Sequence, residues 1–165
     1  FSQYIHPTGD GKLLTIGVDG NNWGWGLALS LFDVENMENP SLLHRTVQPG
    51  AWSEAQNEHK AFNYFPPKGV LAIPVSGDHY DSGSWSYFTG LEVWDVSLGT
   101  GFASRGLVNH YSFVEATSNG YYDYASMVRR SVIMGDVIFS ISGVGIKANS
   151  LSNLGMEYAA IDLPQ

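Results

Sequence analysis

Short apolar runs punctuated by Gly, Pro, Asp and Asn recur along the whole chain, and helices are hard to place anywhere in it. The stretch 59–96 sets the pattern. It opens with His59-Lys60-Ala61-Phe62-Asn63-Tyr64-Phe65, turns at Pro66-Pro67-Lys68-Gly69, and continues as Val70-Leu71-Ala72-Ile73-Pro74-Val75. A polar insertion at 76–86 follows, then Leu91-Glu92-Val93-Trp94-Asp95-Val96 and a further run at 103–108. Runs of about four to eight such residues bounded by turn formers read as β-strands, so the stretch predicts one antiparallel four-stranded unit.

The same plan occurs once before and once after it. The first unit has Tyr4-Ile5-His6, a turn at Pro7-Thr8-Gly9-Asp10-Gly11, a strand at 13–18, a loop Asp19-Gly20-Asn21-Asn22-Trp23-Gly24, and runs at 27–34 and 42–47. The third has runs at 130–134, 137–142, 145–149 and 158–163, with a Gly135-Asp136 turn. Asp33, Asp95 and Asn149 mark the same place in the three units. Their spacing exceeds the roughly 40–50 residues of a propeller blade, with the excess in 76–86 and 111–127. The predicted fold is therefore all-β: three four-stranded antiparallel β-propeller blades at approximately 1–50, 51–110 and 111–165, forming part of a ring.

The second strand of each unit is apolar on both faces, which a sheet needs when neighbours cover both sides. A β-sandwich interior would supply that too, but it leaves the threefold repetition unexplained. Residues 51–60 predict at most a single helical turn capped by Ser53 between strands. No low-complexity linker divides the chain, so one propeller segment is expected across 1–165.

Composition sharpens this reading. Nineteen Gly, 13% aromatics and only 15% charged residues suit strands and tight turns. A formal charge of −8 leaves no basic footprint for nucleic acid or an anionic membrane. No apolar run approaches the ~20 residues that span a bilayer as a helix. Cysteine is absent, so disulfides and thiolate chemistry play no part. Because the first residue is Phe, a processed or excised piece is expected.

Three groups of residues could carry chemistry. Asp19 and Asn21 in one loop, with Asp78 and Asp81 in the equivalent loop of the second unit, offer hard oxygen ligands for Ca²⁺, though without EF-hand spacing. Tight turns favour the same residue types. His59 with Lys60, and Arg129 with Arg130, could meet an anionic ligand in the axial channel; alternatively they satisfy backbone groups or pair with acidic neighbours. The five His show no transition-metal spacing, and no Gly-x-Ser-x-Gly elbow occurs. Aromatics crowd the loops: Trp23 and Trp25, then Tyr80, Trp85, Tyr87 and Phe88, then Tyr111, Phe113, Tyr121, Tyr122 and Tyr124. Beside Ser, Gly and Asn they suit recognition of protein or sugar, with Trp23, Trp85 and Tyr87 as the chosen candidates, or else they fill gaps between blades.

The order of these motifs resembles one family. Tyr4-Ile5-His6-Pro7, Leu13-Leu14-Thr15-Ile16-Gly17, Leu29-Ser30-Leu31-Phe32-Asp33-Val34, Ser53-Glu54-Ala55 and His59-Lys60-Ala61-Phe62 begin the series. Leu71-Ala72-Ile73-Pro74-Val75, Gly90-Leu91-Glu92-Val93-Trp94-Asp95-Val96, Arg129-Arg130-Ser131, Gly135-Asp136-Val137-Ile138 and Gly145-Ile146-Lys147-Ala148-Asn149 complete it. Together they are similar to the C-terminal part of the secreted bacterial and archaeal β-propeller proteins distantly related to WD40 repeats. The resemblance implies a secreted or cell-surface protein without an assigned reaction, and it carries over no catalytic residues. Family members are several times longer. Since propellers close with roughly 4–8 blades, other propeller segments or chains are expected to complete the ring. The expected role is a non-enzymatic module binding protein or surface polysaccharide. The alternatives are a propeller hydrolase with an axial site completed by other blades, and a structural lattice component.

Overall fold

A computed structural model describes residues 1–21, 24–81, 83–114 and 124–164, with backbone alone at 21, 24, 79–81, 84 and 85. Three antiparallel sheets follow one another along the chain. The first has the order β1 (Ser2–Gly9), β2 (Lys12–Asn21), β3 (Gly24–Asp33) and β4 (Ser41–Pro49). The second orders β5 (Ala51–Trp52), β7 (Val70–Asp81), β8 (Ser84–Ser97) and β9 (Gly101–Val108), while β6 (Asn63–Phe65) also pairs with β7. The third runs β10 (Val128–Met134), β11 (Val137–Ser142), β12 (Gly145–Ser150) and β13 (Glu157–Asp162). These are blades one to three.

Alternation along β7 decides how the blades stack. Leu71, Ile73 and Val75 point to one side and join Leu14, Ile16, Leu27, Leu29 and Leu31 of blade one. Val70 and Ala72 point to the other and join Val128, Ile138, Leu151 and Leu154 of blade three, together with Leu91, Val93 and Val108. Each of these five β7 side chains is at most 1% exposed. Blade two is thus buried on both faces, which is why this strand reads as a continuous apolar run rather than an alternating one.

The aligned residues fall where the repeat places them. Asp33 ends β3 opposite Lys12, Asp95 lies opposite Val70 at the start of β7, and Asn149 sits opposite Ile138, one residue into β11. Each ties down local structure. Asp33 pairs with Lys12 at 3.4 Å, Asp95 with Arg105 at 2.5 Å, and the Asn149 amide donates to the Leu154 carbonyl at 2.8 Å.

Three local expectations need correction. The run 59–65 is not one strand: His59–Ala61 forms a 3-10 turn, and only Asn63–Phe65 pairs with β7. The reason lies upstream, where Ser53 builds a full capping box. Its hydroxyl accepts from the Ala55 N–H at 3.1 Å, and the Gln56 side chain accepts from the Ser53 N–H at 2.8 Å. The turn that results, Glu54–Gln56, is far from incidental. The Gln56 amide donates to Gln3 at 2.8 Å and to the Gly17 carbonyl at 3.1 Å, while Asn63 donates to the Ser131 carbonyl at 3.2 Å. The interrupted first strand therefore ties blade two to both neighbours.

The other two corrections concern loops. Residues 76–86 continue β7 and β8 as a hairpin paired out to Asp81 and Ser84, and Asp19 to Asn21 continue β2. Gly and small polar residues weaken strand propensity without abolishing it, and continuous pairing to a partner strand overrides them. The Pro66-Pro67-Lys68-Gly69 turn forms as the sequence indicates. Gly69 closes it at φ 59°, and a Cβ there would lie 2.8 Å from the Val96 carbonyl oxygen.

The two-sided burial has a measurable consequence. Ile73→Ala is expected to lower the unfolding free energy by about 2–5 kcal/mol, against about 0.5–1.5 kcal/mol for Ile73→Val. Urea unfolding of both variants checks this. Equal, small losses would mean that the blade one to blade two seam is not packed as described.

Candidate functional site

In an antiparallel blade, connections leave the two sheet ends alternately. The β2–β3, β7–β8 and β11–β12 turns share one end with the crossovers β4–β5 and β9–β10. Backbone contacts confirm that they meet there. Gly50 donates to the Trp25 carbonyl at 3.1 Å, Asp78 donates to the Gly50 carbonyl at 3.2 Å, and Gly143 donates to the Ala125 carbonyl at 3.0 Å. Gly50 fits this junction at φ 71°, since a Cβ would lie 2.7 Å from the Asp78 carbonyl oxygen. The Tyr111 hydroxyl also accepts from the Thr89 N–H at 2.8 Å.

This rim gathers the loop aromatics. Trp25 is 69% exposed and Tyr124 64%. Trp52, next to the Gly50 junction on β5, is 44% exposed. Tyr87 and Phe88 are half-buried on β8, with Tyr87 opposite Asp78 in the register. At the other end of the sheets Lys12 bridges Asp33 and Glu35, Lys68 reaches across to Asp136, and Arg105 holds Asp95. Exposed aromatics gather at the first rim, where Arg45 meets Asp19 and Arg129 meets Glu54, and the ion pairs of the opposite turns lie at the other.

A second cluster lies along the first strands. Glu54 accepts from Arg129 at 2.6 Å and Arg130 at 2.9 Å. Arg130 also lies 3.7 Å from Glu58, whose carboxylate sits 3.6 Å from the His59 ring and accepts from the Lys60 N–H at 3.0 Å. That last bond, helped by the nearby positive charges and opposed by burial, holds the Glu58 carboxyl below its ordinary range. Arg129 stacks over the Tyr124 ring at 4.8 Å. The cluster joins blade two to blade three.

The family described as "Beta propeller domain" matches residues 1–154. The chain belongs to that family. A protein from Archaeoglobus fulgidus, described only as "Uncharacterized protein", is 29% identical over 93 residues. The match covers 56% of this chain and 14% of that protein, so the chain corresponds to a small part of its relative. No solved structure matches.

Within the propeller, the structure brings His59, Arg129 and Arg130 together with the Lys60 backbone, through Glu54 and Glu58. Neither acid was singled out as a partner in the sequence, because nothing local marks a carboxylate that reaches across to another blade. Asp19, one of the candidate Ca²⁺ ligands, carries the Arg45 guanidinium at 3.1 Å. Asp78 is exposed on β7, and the side chains of Asn21 and Asp81 lie outside the described residues. Among the described residues no three acidic or histidine side chains gather as a metal site. Trp23 lies outside the described residues, as does the Trp85 side chain. Trp52 escaped the sequence reading because it falls in the stretch expected to be a helical turn.

The 109–127 excursion is rooted by His110. Its ring is fully buried, with Nε2 2.8 Å from the Ser140 hydroxyl and Nδ1 2.8 Å from the Ser142 hydroxyl, and Phe113 packs edge-on against it. Burial, seconded by the Lys147 charge and opposed by Glu157, lowers its pKa to about 4. A depressed histidine pKa stabilises the fold fully above the ordinary value near 6.5, and that stability is lost as pH falls toward 4. Chemical denaturation is expected to show a loss approaching about 1.4 kcal/mol per pH unit across this window. Proton NMR should show His110 staying neutral well below pH 6. Titration of its ring near 6.5 would contradict the buried placement.

Proposed function

We propose that this chain is part of a non-enzymatic, exported β-propeller that binds a protein or a surface polysaccharide through its aromatic rim, in a ring completed by further propeller blades. The observation that carries the reading is the gathering of exposed aromatics at one rim. Trp25 and Trp52 present large rigid faces to solvent on the side where the crossovers meet, and Tyr124, with Arg129 stacked on its ring, is 64% exposed there. Exposed Trp and Tyr gain contact area with little loss of side-chain entropy, and the negative charge of the chain disfavours polyanions.

Further blades are called for by blade three. Its outer face carries Val132, Phe139 and Ala148 in one register row and Ile141, Ile146 and Ile161 in the next, with Met134 beyond. Val132, Met134 and Ile161 are between 44% and 64% exposed. An apolar sheet face of this kind matches the face that β7 offers to its neighbours. A propeller hydrolase is the second reading. It is favoured by Glu54, Glu58 and His59 converging on the first-strand edge, although Arg129 and Arg130 already engage the two carboxylates.

Affinity electrophoresis in gels loaded with neutral polysaccharides tests the binding reading. Retardation by at least one polymer is expected, weakened roughly tenfold in Trp25→Ala, which removes one exposed aromatic platform. Unchanged retardation in that variant would sink the rim assignment, and release of reducing sugar would transfer the case to the hydrolase. Light scattering tests ring completion separately: the isolated chain is expected to self-associate through its open faces, and a monodisperse 18.0 kDa monomer would count against it.

A further inference from the structure

Both described ends of the β9–β10 crossover are fastened to one four-residue turn, Ser142–Gly145, between β11 and β12. At the first end, the Phe113 ring packs so closely on Gly145 that a Cβ there would lie 2.6 Å from it. At the second, the Gly143 N–H donates to the Ala125 carbonyl at 3.0 Å, and a Gly143 Cβ would lie 3.2 Å from that oxygen. The Leu163 N–H donates to the Val144 carbonyl at 2.8 Å, which adds the chain beyond β13 to the same junction. Ser142 gives the turn its shape: its hydroxyl oxygen accepts from the N–H groups of Val144 and Gly145, both at 3.2 Å. Those two bonds use both lone pairs of the oxygen. Its one proton is left for His110 Nδ1 at 2.8 Å, a shorter contact than the 3.3 Å to the Gly145 carbonyl. This count assigns the ring hydrogen of His110 to Nε2, which donates to the Ser140 hydroxyl at 2.8 Å.

We propose that His110 and Ser142 form an acid-released catch on this crossover. A second ring proton would sit on Nδ1 and point at a hydroxyl oxygen that already accepts twice, so three donors would converge on one atom. Relief comes from opening the Ser142–Gly145 turn, which lets go of Phe113, Ala125 and Leu163 together. Burial in the closed form keeps the ring neutral. Lys147 of β12, 5.5 Å over the Phe113 ring, reinforces this with its positive charge, while Glu157 of β13, 3.0 Å from Lys147, opposes it. The closed form therefore takes up the proton with a pKa of about 4, whereas the opened form, with the ring in water, takes it up near the ordinary value of about 6.5. The catch is shut at neutral pH, and opening becomes about tenfold more favourable for each unit that the pH falls between those values. Tyr124, next to Ala125, belongs to the exposed aromatic rim, so acid reshapes that rim.

Hydrogen exchange of the chain across the range from about pH 7 to about pH 4, read as protection factors, tests the catch. It needs no ligand, so its outcome is independent of the binding reading. The amides of Gly143, Val144, Gly145 and Leu163 are expected to lose protection together, about tenfold per pH unit below about 6.5, and to exchange freely at the acid end while the β7 amides remain protected. Lys147→Met keeps an apolar stem beside Phe113 and removes the charge. It should move the His110 titration and the loss of turn protection upward by the same amount, roughly half to one pH unit. Long-range proton–nitrogen NMR correlation at neutral pH should find the His110 hydrogen on Nε2. A hydrogen on Nδ1, turn amides that stay protected until the β7 amides exchange, or a Lys147→Met variant whose ring titration shifts without the turn following, overturns the proposal.

Discussion

The structure depends on one strand having no exposed face. With Val70, Leu71, Ala72, Ile73 and Val75 all sealed, β7 cannot exist at the surface of a single sheet, and it forces blade one and blade three onto its two sides. Burial of that much aliphatic surface, at about 25 cal/mol per Å² removed from water, outweighs the preferences of any loop nearby. It explains why Gly77 and Asp78 continue as strand, and why the repeat survives the interruption of the first strand of blade two.

That interruption has its own logic. A continuous edge strand from 51 to 65 would complete blade two but leave its side chains only the solvent to face. By folding 53–62 into two capped turns, the chain sends Gln56 toward blade one, and Glu54 and Glu58 toward the arginines of blade three. The pairs are partly exposed, so each contributes modestly. Their value is directional: a bidentate demand from two guanidiniums fixes where blade three sits relative to Glu54. Apolar stacking alone tolerates sliding between sheets far better.

What could be read from the sequence divides along the same line. The strands, their order and the two-faced burial of β7 follow from local runs bounded by Gly, Pro and Asp, and these were legible. So was the Ser53 cap, whose signature needs only four residues. The hairpin at 76–86 and the broken strand at 59–65 were misread, because there pairing with a distant partner contradicts local composition. The rim aromatics were visible as a crowd, but only the alternation of connections shows that they share one end. Glu54 was not legible at all: a bridging carboxylate looks like any other Glu until the opposing blade is in place.

The two seams flanking blade two both combine apolar packing with buried polar groups. Toward blade three an aliphatic contact joins Val70, Ala72, Leu91, Val93 and Val108 to Val128, Ile138, Leu151 and Leu154, flanked by the pairs that Arg129 and Arg130 make with Glu54. Toward blade one, the same blade contributes Glu92 Oε2 and Trp94 Nε1, and blade one contributes Gln48 Oε1, all buried without partners. Each such group costs roughly 1–3 kcal/mol relative to a satisfied one. A seam held only for stability would be better served by leucine at all three positions. Asn149 Oδ1 is buried without a partner on the blade three side, so both seams depart from purely apolar packing, and apolar stacking alone does not account for the polar groups they bury.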